Sequence, residues 1–138
     1  MRSLLAPGLL LLACAHAPPV RASLGVQRSD PVELCFPIGE DVYLRALRCA
    51  DGEPARWRRL GSVGTRTPLA KADDPRLLEQ MDAGHPLAPG EPDLHILDAV
   101  ELSCVQAGPQ HEPVTIYLDI YHCPPREPPA PRGFTLAQ

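Results

Sequence analysis

Few side chains in this chain could do chemistry: five cysteines, five histidines and a scatter of carboxylates within 138 residues. The best catalytic arrangement among them is His122 with Asp98. A carboxylate can orient an imidazole and raise its basicity, as general acid–base work requires. No serine or cysteine is placed beside the pair to act as nucleophile, and a mutually satisfied buried pair accounts for the same residues. His95 with Glu101 or Asp119 supplies nitrogen and oxygen donors. No His-x-x-x-His or comparable chelating spacing accompanies them, so no metal site is expected. The later cysteines, Cys35, Cys49, Cys104 and Cys123, contain no Cys-x-x-Cys pair, which argues against a metal loop, a redox motif and haem attachment. Gly61-Ser62-Val63-Gly64 reads as a turn. No nucleotide-binding or nucleophile-elbow pattern occurs, and no cofactor is implied.

Charge offers surfaces more readily than reactions. The formal net charge of −4 argues against non-specific nucleic-acid binding by the whole chain. Residues 45–71 nevertheless hold seven basic side chains against two acidic ones, and residues 72–138 hold three against eleven. Arg56, Arg58 and Arg59 lie in the basic stretch and could meet an anionic partner; a solvated arginine face is the plainer reading. Tyr117 and Tyr121 stand at strand spacing with Asp119 between them. Tyrosine is enriched at interfaces, so this outer face is the first choice for a partner surface.

The N-terminus is the most informative segment. Met1-Arg2-Ser3 carries positive charge, and Leu4 to Leu12 is an apolar run broken only by Pro7 and Gly8. That is an export-signal pattern, too short to span a bilayer. Leu11-Leu12-Ala13-Cys14 resembles the lipobox of bacterial lipoprotein precursors. The resemblance covers about the first fifteen residues and implies lipid on Cys14, cleavage before it and, with Ala15 following, sorting to the outer membrane. An ordinary signal peptide cut after Ala15-His16-Ala17 is the alternative, with Pro18 disfavouring that cut. Cysteine parity favours the lipobox. Five cysteines in an exported chain leave one over, and assigning Cys14 to lipid leaves an even set for disulfides in an oxidising compartment.

Around these residues the chain divides into a signal peptide (1–13), a lipidated cysteine with a flexible tether (14–31), a small domain (32–123) and a proline-rich extended tail (124–138), where Phe134 can pin the chain down. Eighteen prolines allow regular elements only in the gaps between them. Val32–Phe36 and Val42–Cys49 read as two strands with the turn at 37–41, and Ala55–Val63 as a weaker strand. Asp74, Pro75 and Gly84 bracket one short helix.

The clearest element is a hairpin from 94–105 and 114–123, with Gly108-Pro109 in its loop. Facing both apolar sets inward selects a register such as Cys104 opposite Ile116 and Val100 opposite Ile120, which puts Asp98 opposite His122. In that hairpin Cys104 and Cys123 sit roughly 20 Å apart, beyond disulfide reach. Cys35 and Cys49 are likewise separated along the first hairpin. Crossed connections follow, with Cys35–Cys123 and Cys49–Cys104 placed ahead of the other crossed pairing. The expected fold is α+β and mostly β: a small antiparallel sheet of hairpins, one short helix and two disulfides. The expected function is a non-enzymatic binding or envelope-structural domain, membrane-anchored by lipid and facing an unknown protein or envelope partner. A small periplasmic hydrolase using His122 and Asp98, or an inhibitor-type or toxin-associated lipoprotein, are the alternatives.

Overall fold

A computed structural model describes residues 24–82, 84, 86–105 and 112–137. In chain order the elements are β1 (Val32–Glu33), α1 (Phe36–Ala46), β2 (Leu47–Arg48), β3 (Arg56–Thr65), α2 (Arg76–Glu79), β4 (Ile96–Ser103), β5 (Val114–Asp119) and β6 (Thr135–Leu136). Four strands form one sheet in the order β1-β5-β4-β3, and β2 pairs with β6 in a second. The β3–β4 and β4–β5 pairs are antiparallel, whereas the short β1 runs parallel to β5. The fold is therefore α+β and mostly β, stapled by two disulfides. These join Cys35 to Cys123 and Cys49 to Cys104, the crossed pairing favoured from the sequence.

Alternation explains the two central strands. Val100, Leu102, Ile116 and Leu118 share one face of the sheet and are fully buried. They join Leu24, Val32, Leu34, Tyr43, Leu44 and Leu47 in one core cluster. Burying a leucine or isoleucine completely is worth roughly 1.5–3 kcal/mol, so each of these positions contributes substantially to the stability of the fold.

The first expected hairpin is not formed. Residues 36–46 are the helix α1, and only fragments of the two expected strands survive, as β1 and β2. Pro37 falls in the first helical turn, where its missing N–H costs nothing. Glu40, Tyr43, Leu44 and Leu47 then recur at helical spacing and are all buried. Phe36 enters the helix at φ +61, a left-handed conformation for a bulky side chain. Its N–H donates to Ile120 O at 2.9 Å, beside the Cys35–Cys123 bond, and these two ties hold the turn.

The register of the β4–β5 pair differs from the expected one as well. Val100 faces Ile116, Leu102 faces Val114 and Asp98 faces Leu118, so the strand partners are displaced by four residues from the expected register. Alternation is preserved, which is why both registers bury the same apolar sets. Asp98 and His122 are not opposite one another. The Gly108-Pro109 loop lies outside the described residues, as does Cys14.

The packed unit also exceeds the expected 32–123. Leu24 belongs to the core, Gly25 O accepts Tyr117 N–H at 2.6 Å, and Arg28 donates to Val63 O and Thr65 O. Residues 24–31 are thus fixed against the sheet rather than part of a tether. At the other end Ala130, Phe134 and Leu136 pack on the same core, and the Tyr43 hydroxyl donates to Pro129 O at 2.9 Å. β6 then closes on β2, so the proline-rich tail covers the domain as an integral layer.

The short helix stands where its signals put it. Asp74 Oδ1 accepts the Arg76 N–H at 3.1 Å, Pro75 precedes the helix, and Gly84 adopts φ +79 beyond it. Gln80, fully buried, anchors this segment: its side chain accepts from Leu94 N–H and donates to Glu91 and Pro92 O.

Candidate functional site

Antiparallel neighbours place the start of one strand beside the end of the next. Asp93 and His95 lie just before β4, while Asp119 ends β5 and His122 follows it. Arg66 follows β3 and Glu33 lies on β1 opposite Asp119, so four strand ends converge here. Backbone bonds fix the approach. Arg66 N–H donates to His95 O at 2.9 Å, and Thr67 N–H donates to Asp93 O at 2.7 Å, continuing the β3–β4 ladder.

Each group is held in turn. Asp93 Oδ1 accepts the His95 backbone N–H at 3.1 Å, forming a local turn that aims the carboxylate back at the imidazole. Asp119 Oδ1 accepts Tyr121 N–H at 3.0 Å, and its Oδ2 lies 2.9 Å from His122 Nδ1. Arg66 Nη1 reaches Glu33 at 2.8 Å, Asp93 at 3.3 Å and Asp119 at 3.6 Å. The ring of Tyr121 stacks on His95 with centroids 5.1 Å apart, and His122 meets the same imidazole edge-on at 4.7 Å.

Charge coupling moves two of these groups. The hydrogen bond to Asp119 raises the His122 pKa above its ordinary value; burial opposes it, and the charges of Asp119, Asp93 and Glu33 reinforce it. Burial alone would raise Asp119, but the bond and charge of His122, with the Tyr121 N–H, outweigh it and hold the carboxyl low. His95 differs from both. It is 2% exposed, and neither ring nitrogen makes a hydrogen bond. Asp93 Oδ1 stands 2.9 Å from its Nδ1 but without hydrogen-bond alignment.

One donor atom from each of Asp93, His95, Asp119 and His122 lies within 4.8 Å of the others. No metal cluster was expected, because no two of these residues have a chelating spacing along one helix. Asp93-x-His95 and Asp119-x-x-His122 flank the two central strands, however, and pairing those strands assembles them. That flanking pattern was the available signal.

The other expected site residues are dispersed. Asp98 sits on the opposite face of the sheet, where it accepts from Ser62 Oγ at 2.8 Å and from Arg59 at 3.1 Å. Its place beside His122 is taken by Asp119. Arg59 also pairs with the buried Glu40, Arg58 pairs with Glu101, and Arg56 is exposed on β3, an edge strand. Charged side chains along such an edge discourage sheet extension. Tyr121 stacks on His95, and both Tyr117 and Tyr121 are half-buried. Against known protein families, curated proteins and solved structures alike, the chain finds no match.

Proposed function

We propose that this chain is the precursor of an exported lipoprotein, cut before Cys14 and held at the outer membrane by lipid on that cysteine, whose domain works by binding rather than catalysis. Cysteine parity carries the reading. Two disulfides use Cys35, Cys49, Cys104 and Cys123, which leaves Cys14 alone within Leu11-Leu12-Ala13-Cys14. Among the described residues no helix is long and apolar enough to cross a membrane. Two crossed staples and a tail folded back over the core suit a small domain exposed to an oxidising compartment.

Binding is favoured over hydrolysis by the surroundings of His122. Its Nδ1 is engaged with Asp119, and no serine or threonine hydroxyl is hydrogen-bonded to its ring among the described residues. The cysteines of the domain are consumed in disulfides. An imidazole base with no nucleophile to activate lacks half of the machinery for covalent hydrolysis.

Intact mass of protein extracted from membranes is the test. A mature chain starting at Cys14 and carrying acyl mass is the expected result. A free thiol at Cys14, or a chain starting at Pro18, overturns the lipoprotein reading.

A further inference from the structure

We infer that Asp93, His95 and His122 form a binding site for a divalent first-row transition ion such as zinc, with Asp119 orienting His122 from behind. This site is independent of how the chain is anchored. Three observations carry it.

The first is the state of His95. A buried imidazole ordinarily has a hydrogen-bond partner for each nitrogen that needs one, because leaving such a group unpaired costs about 1–3 kcal/mol. Both nitrogens of His95 lack one, while the ring packs against Tyr121 and His122. A buried ring nitrogen with its lone pair unengaged is what a metal ligand offers.

The second is geometry. Zinc bonds of about 2.1 Å place neighbouring tetrahedral ligands roughly 3.4 Å apart. Asp93 Oδ1 is 2.9 Å from His95 Nδ1, and Asp93 Oδ2 is 3.5 Å from His122 Nε2. One carboxylate thus faces a nitrogen of each imidazole, Oδ1 towards His95 and Oδ2 towards His122, and a donor atom from each of the three residues lies within 4.8 Å of the others. The far nitrogen of His122 meets Asp119 at 2.9 Å, the carboxylate–histidine arrangement that fixes the tautomer of metal-bound imidazoles.

The third is charge. Among the described residues Glu33, Asp93 and Asp119 share one guanidinium, Arg66, which leaves an excess of two negative charges when the imidazoles are neutral. A dication balances them. The mixed nitrogen and oxygen donors select the ion class: imidazole suits zinc, copper and nickel, whereas magnesium and calcium prefer oxygen alone.

Native mass spectrometry and competition titration with zinc test the site, on the full chain isolated with both disulfides formed. One zinc per chain is expected, undisturbed by excess magnesium. Asp93→Asn and His122→Gln, both at partly exposed positions and checked for folding by near-ultraviolet circular dichroism, should each lose at least tenfold in affinity. Asp119→Asn should lose about 10–100-fold while keeping the one-to-one stoichiometry. Absence of zinc binding by the folded wild-type chain overturns the proposal, and so does zinc held equally well by Asp93→Asn and His122→Gln.

Discussion

Asp119 and His122 form a hydrogen bond of 2.9 Å in which Nδ1 must be the donor, since an ionised carboxylate only accepts. This bond and the charge behind it raise the imidazole pKa, and they also hold the fully buried Asp119 carboxyl low. In metal-free protein, kept in chelator, the His122 ring titration followed by NMR should therefore lie above 6.5. Asp119→Asn should bring it down, and Asp98→Asn should leave it in place. The reverse ranking would restore the Asp98 pairing. Linkage fixes the associated stability. The raised His122 value stabilises the fold below about pH 6.5, and that contribution is lost as pH rises through the folded value. The lowered Asp119 value stabilises it above about pH 3.8, and that contribution is lost as pH falls through the folded value. The pair therefore contributes most between those limits.

Glu40 has the opposite sign from Asp119. Burial pushes its pKa above the usual 4.5; Arg59 works against this, and Asp98 and Asp41 add to it. Its Oε2 has no hydrogen-bond partner. The folded state then holds more protons than the unfolded one above pH 4.5, so this group makes stability fall as pH rises through that window. Glu40→Gln removes the dependence. Urea unfolding at a series of pH values should find the wild type gaining on the variant as pH drops from 7 towards 4.5. A constant difference between the two would show that Glu40 keeps its charge throughout.

Legibility followed the period of each pattern. Two-residue alternation in Val100, Leu102, Ile116 and Leu118 identified the central strands and the face they bury. It could not fix register, because a slip of four residues preserves every inward position. A four-residue slip sets Asp98 opposite His122, whereas the imidazole is bonded to Asp119. The disulfides survived the slip, since separation along the strands, not the exact partner, ruled out Cys104–Cys123. In 36–47 the same alternation misled. Glu40, Tyr43, Leu44 and Leu47 also fit a helical face, and Pro37 marks a helix start as readily as a turn. The cluster at the sheet end was hidden for a different reason. Its ligands come in pairs from two sequence segments, and only tertiary pairing makes them neighbours.

The N-terminal limit of the domain is the sharpest structural difference from the sequence reading, and one glycine tests it. Gly25 has φ +74, and a Cβ there would stand 2.9 Å from Val32 Cγ2, a contact that side chains do not make. Gly25→Ala should therefore cost about 1–3 kcal/mol through backbone strain and the displaced valine. Leu24→Ala, which empties a core position, should cost about 2–3 kcal/mol. If residues 24–31 were only a tether, both substitutions would leave the unfolding midpoint unchanged. The same logic applies to fragments. A chain trimmed to 32–123 loses Leu24, Phe134, Leu136 and the β2–β6 pair together, so chemical denaturation of the fragment should show no cooperative transition. A chain covering 24–137 retains all of these contacts and should unfold cooperatively with the wild-type midpoint. The difference between the two fragments measures how much of the stability resides in segments that proline content and irregular pattern mark as linkers.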